Sequence, residues 1–212
     1  MKLRSNFPAV CFLSLVCALA AVPASADTLY DNSTAMSYTM TAVNIKGGFA
    51  VADSFTLSSS ATISQIMFGS WVDYGDTLNS VDWAITTGDF SGTTLGSGTA
   101  SSFSSEFFEG TIDGDYDMYS DVFSIPGQTL AAGTYYLQIG NAVTTGNALW
   151  DFSNGPSSAQ LDLNGNYIGF DIGSETFALY GSSSPVPEPS SFLLLGSGLA
   201  GLVGVIKRKL MA

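Results

Sequence analysis

The chain contains no histidine, and its two cysteines, Cys11 and Cys17, both lie near its start. Arginine is absent between Asp27 and Ser190, and Lys46 is the only base in that stretch. A Ser-His-Asp or Cys-His centre therefore has no imidazole to build on. Zinc and copper sites of the imidazole and thiolate kind are excluded for the same reason. Lys46 sits in no glycine-rich phosphate-binding frame, and no dinucleotide fingerprint occurs. The shortage of positive charge also restricts partners. Of the 18 acidic residues only Glu188 lies beyond Glu175, which leaves 18 − 1 = 17 against Lys46, a net charge of 1 − 17 = −16 over residues 27–184. Such a surface repels phosphate backbones and anionic headgroups, which excludes nucleic acid and makes divalent cations the natural partners.

What the chain does have begins with Lys2 and Arg4 ahead of an apolar run, Phe7 to Val22, closed by Ala24-Ser25-Ala26. A basic start, an apolar middle and a small-x-small site define a secretory signal peptide over residues 1–26, with cleavage between Ala26 and Asp27. Both cysteines leave with it. The mature chain then has no disulfide, although its export route would permit one. Residues 27–181 amount to one domain, long enough to bury a real core.

The other end is organised differently. A polar linker with Pro187-Glu188-Pro189 spans residues 182–191, an uncharged stretch runs from Ser190 to Ile206, and Lys207-Arg208-Lys209 opens a short basic tail, residues 207–212. At about 1.5 Å per residue the uncharged stretch reaches roughly 25 Å as a helix, just short of the roughly 30 Å hydrocarbon layer. Snorkelling of the basic triplet supplies the missing length, so residues 192–206 are expected to form one short transmembrane helix. The competing reading, a buried core helix, leaves the triplet and the lack of a polar face unexplained. Basic residues beside a span stay on the cytoplasmic side, so everything before Ser190 is expected outside. Ser197 with Gly201 and Ala200 with Gly204 make small-xxx-small pairs suited to a second helix, or simply reflect the glycine content of membrane helices. Pro187 and Pro189 hold the peptide around Glu188 extended, in a form that an enzyme reads without unfolding anything.

Val186-Pro187-Glu188-Pro189-Ser190, the Gly-rich apolar run and the terminal Lys207-Arg208-Lys209 together resemble a PEP-CTERM sorting signal. The resemblance covers about a seventh of the chain and shows no departure from the pattern. It implies recognition by an exosortase, a membrane-embedded transpeptidase-like enzyme, with removal of the tail. It further implies a Gram-negative bacterium that makes extracellular polysaccharide, an inner-membrane-anchored intermediate, and a final place at the cell surface or in the extracellular matrix. It does not fix what the domain ahead of the signal does.

That domain reads as all-β. Phe49, Val51, Phe55 and Leu57 fall on one parity of an extended segment. Val81, Trp83 and Ile85 do so opposite Asp82, Ala84 and Thr86. Tyr135, Leu137 and Ile139 repeat the pattern, as do Phe177 and Leu179. Period-two alternation marks half-buried antiparallel strands. Turn formers separate them: Gly47-Gly48, Ser58-Ser59-Ser60, Gly88-Asp89, Gly96-Ser97-Gly98, Pro126-Gly127, Asn154-Gly155-Pro156 and Asn164-Gly165-Asn166. Eight to ten short strands at this spacing, without internal repeat or helix, predict a single antiparallel β-sandwich with jelly-roll-like connections. The segment from Gly133 is expected to be a central strand entered from a tight corner.

Carboxylate chemistry is what the inventory leaves. Asp113, Asp115 and Asp117 alternate in a glycine-containing loop, with Asp121 close behind, and three such carboxylates suit calcium. The spacing resembles the start of an EF-hand loop but lacks its glycine and its closing glutamate, and a solvated acidic loop is the plainer reading. Asp162, Asn164 and Asn166 repeat the alternation where a simple turn suffices. Glu106 and Glu109 offer a glycosidase-like pair. Trp71, Tyr74, Trp83 and Trp150 raise sugar binding, with Trp83 expected in the core and Trp71 and Tyr74 at a strand end or loop, where packing is the competing role. Asn32-Ser33-Thr34 matches a glycosylation sequon, read as chance in a bacterium. The chain is thus expected to be a non-enzymatic, surface-sorted protein of the extracellular polysaccharide matrix or biofilm, without a required cofactor. The alternatives are a calcium- or carbohydrate-binding module and a secreted glycosidase.

Overall fold

The computed structural model describes residues 26–33, 42–110, 114–168 and 172–183. The signal peptide up to residue 25, the Pro-Glu-Pro linker from residue 184, the expected span 192–206 and the basic tail lie outside them. Among the described residues no helix is long and apolar enough to cross a membrane.

The chain weaves between two sheets. β1 (Asp27–Asp31) and β2 (Ala42–Asn44) belong to the first, β3 (Phe49–Leu57) to the second, and β4 (Ala61–Asp73) returns to the first. β5 (Ser80–Thr86) and β6 (Thr94–Ala100) extend the second sheet, and β7 (Ser104–Gly110) and β8 (Tyr116–Leu130) the first. β9 (Gly133–Val143) crosses back, β10 (Ala148–Ser153) returns, β11 (Ala159–Leu163) and β12 (Asn166–Tyr167) form a hairpin on the second, and β13 (Ser174–Glu175) and β14 (Phe177–Ser183) complete the first. The result is an eight-stranded sheet facing a six-stranded one ordered β12-β11-β3-β9-β5-β6, with antiparallel pairing throughout.

Alternation decides which side chains enter the interlayer. Val51, Phe55 and Leu57 of β3, Leu137 and Ile139 of β9 and Val81, Trp83 and Ile85 of β5 join one buried cluster. Ile63, Ile66 and Phe68 of β4, Trp150 of β10 and Phe177 and Leu179 of β14 belong to the same cluster. Phe177 is its hub. Its ring meets Phe55 and Trp150 edge-on at centroid distances of 6.4 and 5.9 Å, and Phe68 meets Trp150 in the same way at 6.2 Å, the arrangement that aromatic quadrupoles favour.

The antiparallel sandwich is the architecture expected from the sequence, and β9 is the central strand, flanked by β3 and β5. The strands are more numerous and longer than the eight to ten short ones expected, with β4 and β8 paired from Ala61↔Leu130 to Asp73↔Tyr116. Two expected turns are not turns. Pro126-Gly127 lies within β8, where residues 125–127 face the single Ser64 between Ile63↔Gln128 and Gln65↔Ser124. This is a bulge, and a proline there costs no ladder hydrogen bond. Gly96-Ser97-Gly98 lies within β6, where a Cβ on Gly98 would sit 3.2 Å from Trp83 Nε1. That glycine makes room for the neighbouring indole. Asn164-Gly165 is a true hairpin tip, with φ of 53° and 81°, the left-handed pair that a two-residue turn requires. β14 continues to Ser183, past the expected domain boundary at Gly181, because Ser182 and Ser183 still pair with Thr62 and Ala61.

Candidate functional site

Two buried acids come together between the sheets, Asp53 and Glu175. Asp53 shares the inward parity of β3 with Val51 and Phe55, and Glu175 of β13 is paired with Phe152. Both are 0% exposed. Asp53 Oδ2 accepts from the Glu175 backbone N–H at 2.7 Å and from Ser157 Oγ at 2.9 Å. Asp53 Oδ1 and both carboxyl oxygens of Glu175 have no hydrogen-bond partner. Around them lie Asn32, which follows β1, and two hydroxyls. Asn32 Nδ2 donates to Glu175 O at 2.8 Å, to Ser157 Oγ at 3.0 Å and, in a closer contact, to Ser174 Oγ. Ser157 and Ser174 hydroxyls also touch. Asn32 itself is held by its N–H to Phe177 O at 2.8 Å and by Ser153 Oγ donating to its carbonyl at 2.7 Å. Its side chain is buried, so the sequon reading of Asn32-Ser33-Thr34 finds no accessible amide.

Burial disfavours the charged form of both acids. It raises Asp53 to about 6, against the opposing pull of hydrogen bonds from Glu175 and Ser157. Glu175 is pushed well above the usual carboxylate range, by burial first and then by the negative charges of Asp53 and Asp151. Asp151 has a different environment. Its Oδ1 accepts from Trp71 Nε1 at 2.8 Å and its Oδ2 from Thr176 Oγ1 at 3.0 Å. That contact, with the ring of Tyr116 6.0 Å away, accounts for the burial of Trp71.

The positions picked out from the sequence separate. Asp113 lies outside the described residues. Asp115 is exposed, while Asp117 is buried, with Oδ2 accepting from Gly75 N–H at 2.9 Å. Among the described residues no three His, Cys, Asp or Glu side chains are grouped to hold a metal ion. Asp121 is buried and raised by burial, against donation from the hydroxyls of Ser105 and Ser70. Asp162 Oδ2 accepts from Gly165 N–H at 2.7 Å, the bond of a plain turn. Glu106 is exposed on β7. Trp71, Trp83 and Trp150 are all buried, and of the four aromatics only Tyr74 is exposed, at 75%. Tyr74 and Asp115 meet: the Tyr74 N–H donates to Asp115 O at 2.9 Å, and both line a hollow of about 370 Å³ with Asp73, Gly114, Tyr116 and Asn147.

Asp53 and Glu175 escape a reading by pattern because each occupies a slot in an apolar series. Asp53 interrupts Phe49-Val51-Phe55-Leu57, and Glu175 precedes Phe177 and Leu179 at the same parity. A carboxylate at an inward position of each of two strands is the signal that identifies them.

Ala26 and Asp27, the expected cleavage pair, stand at the start of β1. The sorting residues Pro187, Glu188 and Pro189 and the stop residues Lys207, Arg208 and Lys209 lie outside the described part. There the chain matches the PEP-CTERM protein-sorting motif over residues 185–209. The match defines an exported protein that carries an exosortase sorting signal and is directed to the cell surface. Comparison with curated proteins returned no match.

Proposed function

We infer that this chain is a non-enzymatic component of the extracellular polysaccharide matrix, delivered by exosortase and released from its membrane tail. The sorting motif at residues 185–209 carries this reading. Two features support it. The domain ahead of the motif has no histidine or cysteine for nucleophilic or metal-assisted turnover. Its inward carboxylates, Asp53 and Glu175, are sealed from any glycosidic substrate. Replacing Pro187-Glu188-Pro189 by alanines is expected to leave a full-mass, unprocessed form in the inner membrane and to empty the matrix fraction. A variant of processed mass in the matrix would show that exosortase does not read these residues.

A second reading, sugar binding by the displayed domain, is favoured by the Tyr74 hollow. An exposed phenol ring beside Asp73, Asp115 and Asn147 combines an apolar face with hydrogen-bonding groups. Tyr74→Ala is expected to lower cosedimentation with the producing cell's polysaccharide by about tenfold, the loss of roughly 1.4 kcal/mol of binding. Equal cosedimentation by variant and wild type would dismiss the hollow.

A further inference from the structure

The unpartnered oxygens between the sheets call for positive charge, and the protein has none to offer there. Lys46 is the only base between Asp27 and Ser190. Its ammonium is committed elsewhere, donating to Thr144 O at 2.9 Å, to Thr145 O at 3.2 Å and, closely, to Gly146 O. No imidazole exists in the chain. We propose that Asp53 and Glu175, with the hydroxyls of Ser157 and Ser174, form a buried calcium site that clamps the two sheets together.

The donor set argues for the class of ion. Every ligand is a hard oxygen, two carboxylates and two hydroxyls, with no nitrogen or sulfur donor of the transition-metal type. Asp53 Oδ1 and the two Glu175 oxygens face inward with no other partner. Together with the hydroxyls of Ser157 and Ser174 they make five oxygens, water completes the six to eight that calcium takes, and the Asn32 amide N–H group holds the two hydroxyls in place. Magnesium fits less well, because it gives up its water reluctantly and both carboxylates are fully buried. The two carboxylates balance the charge of one divalent ion, which removes the penalty of burying unpaired anions. The ligands come from β3, from β13 and from the 154–158 loop, and Asn32, the residue after β1, braces the two hydroxyls. One ion therefore ties both sheets and the start of the domain to one point. This site is distinct from the Asp115–Asp117 stretch and does not depend on sorting.

The test is equilibrium dialysis of the purified full chain against ⁴⁵Ca²⁺ at pH 7, paired with thermal unfolding in EDTA and in calcium. Wild type is expected to bind one buried equivalent. At a hundredfold excess over Kd its melting temperature should rise by about 5–10 °C. Glu175→Gln keeps the shape and removes a charge, so in EDTA it should melt at or above wild type, which shows that it folds. It should bind no equivalent at this site and gain nothing from calcium. Asp115→Asn should keep both the equivalent and the shift. The proposal is overturned if wild type binds no calcium, if Glu175→Gln binds as wild type does, or if Asp115→Asn alone abolishes binding.

Discussion

Asp53 shows how one side chain sets a pH dependence. In the calcium-free protein its carboxyl is raised from 3.8 to about 6 by burial. A raised acid holds its proton in the folded chain after the unfolded chain has lost it, so the folded state binds more protons between these values. Stability then falls as pH rises. The contribution is complete below about 4, is lost as pH rises through about 6, and amounts to on the order of 3 kcal/mol. Melting temperature in chelator is therefore expected to fall between pH 4 and 7, and Asp53→Asn should make that part of the profile shallower, with buried Glu175 and Asp121 supplying the slope that remains. A wild-type profile that rises over the same range would mean that Asp53 is ionised in the fold at acidic pH. The sign is opposite to that of an ordinary salt-bridged aspartate.

At the scale of elements, the seam between β14 and β4 leaves no room for a side chain at Gly181. The register shifts between Tyr180 and Gly181, and a Cβ on Gly181 would lie 1.9 Å from the Thr62 carbonyl oxygen. The obstacle is backbone within a sheet, so it cannot swing aside. Gly181→Ala is expected to destabilise by about 1–3 kcal/mol, as overpacking does, read as a lower urea midpoint with an unchanged slope. Strands such as β3 and β5 were legible because Val51, Phe55, Val81 and Ile85 keep strict parity. Gly98 and Pro126-Gly127 were misread because their reasons lie on other strands, the Trp83 indole for one and the β4 ladder for the other. Local composition names a glycine without saying which neighbour needs the space. The pairing of Asp53 with Glu175 was hidden for the same reason. The two are 122 residues apart in sequence, and only the stacking of two sheets brings them together. The sorting motif, by contrast, is contiguous, and nothing about its recognition waits on folding.

The molecule as a whole combines a strongly acidic exterior with an interior that buries several acids. Of the carboxylates below 9% exposure, Asp117, Asp121, Asp151 and Asp162 have donors on at least one oxygen. Glu175 has none, which singles it out against its own background. Self-repulsion on the outside and uncompensated charge within both weaken the compact state and are both relieved by divalent cations. Ser183 pairs with Ala61 at one end of β4, and Asp27 pairs with Gly181 close by, so entry and exit of the domain share one pole. Strand β4 then runs 13 residues to Asp73, roughly 40 Å at about 3.3 Å per step. Both chain ends of the domain thus leave from one pole, and Tyr74, one residue past the far end of β4, marks the opposite one, a strand's length away from the sorting signal.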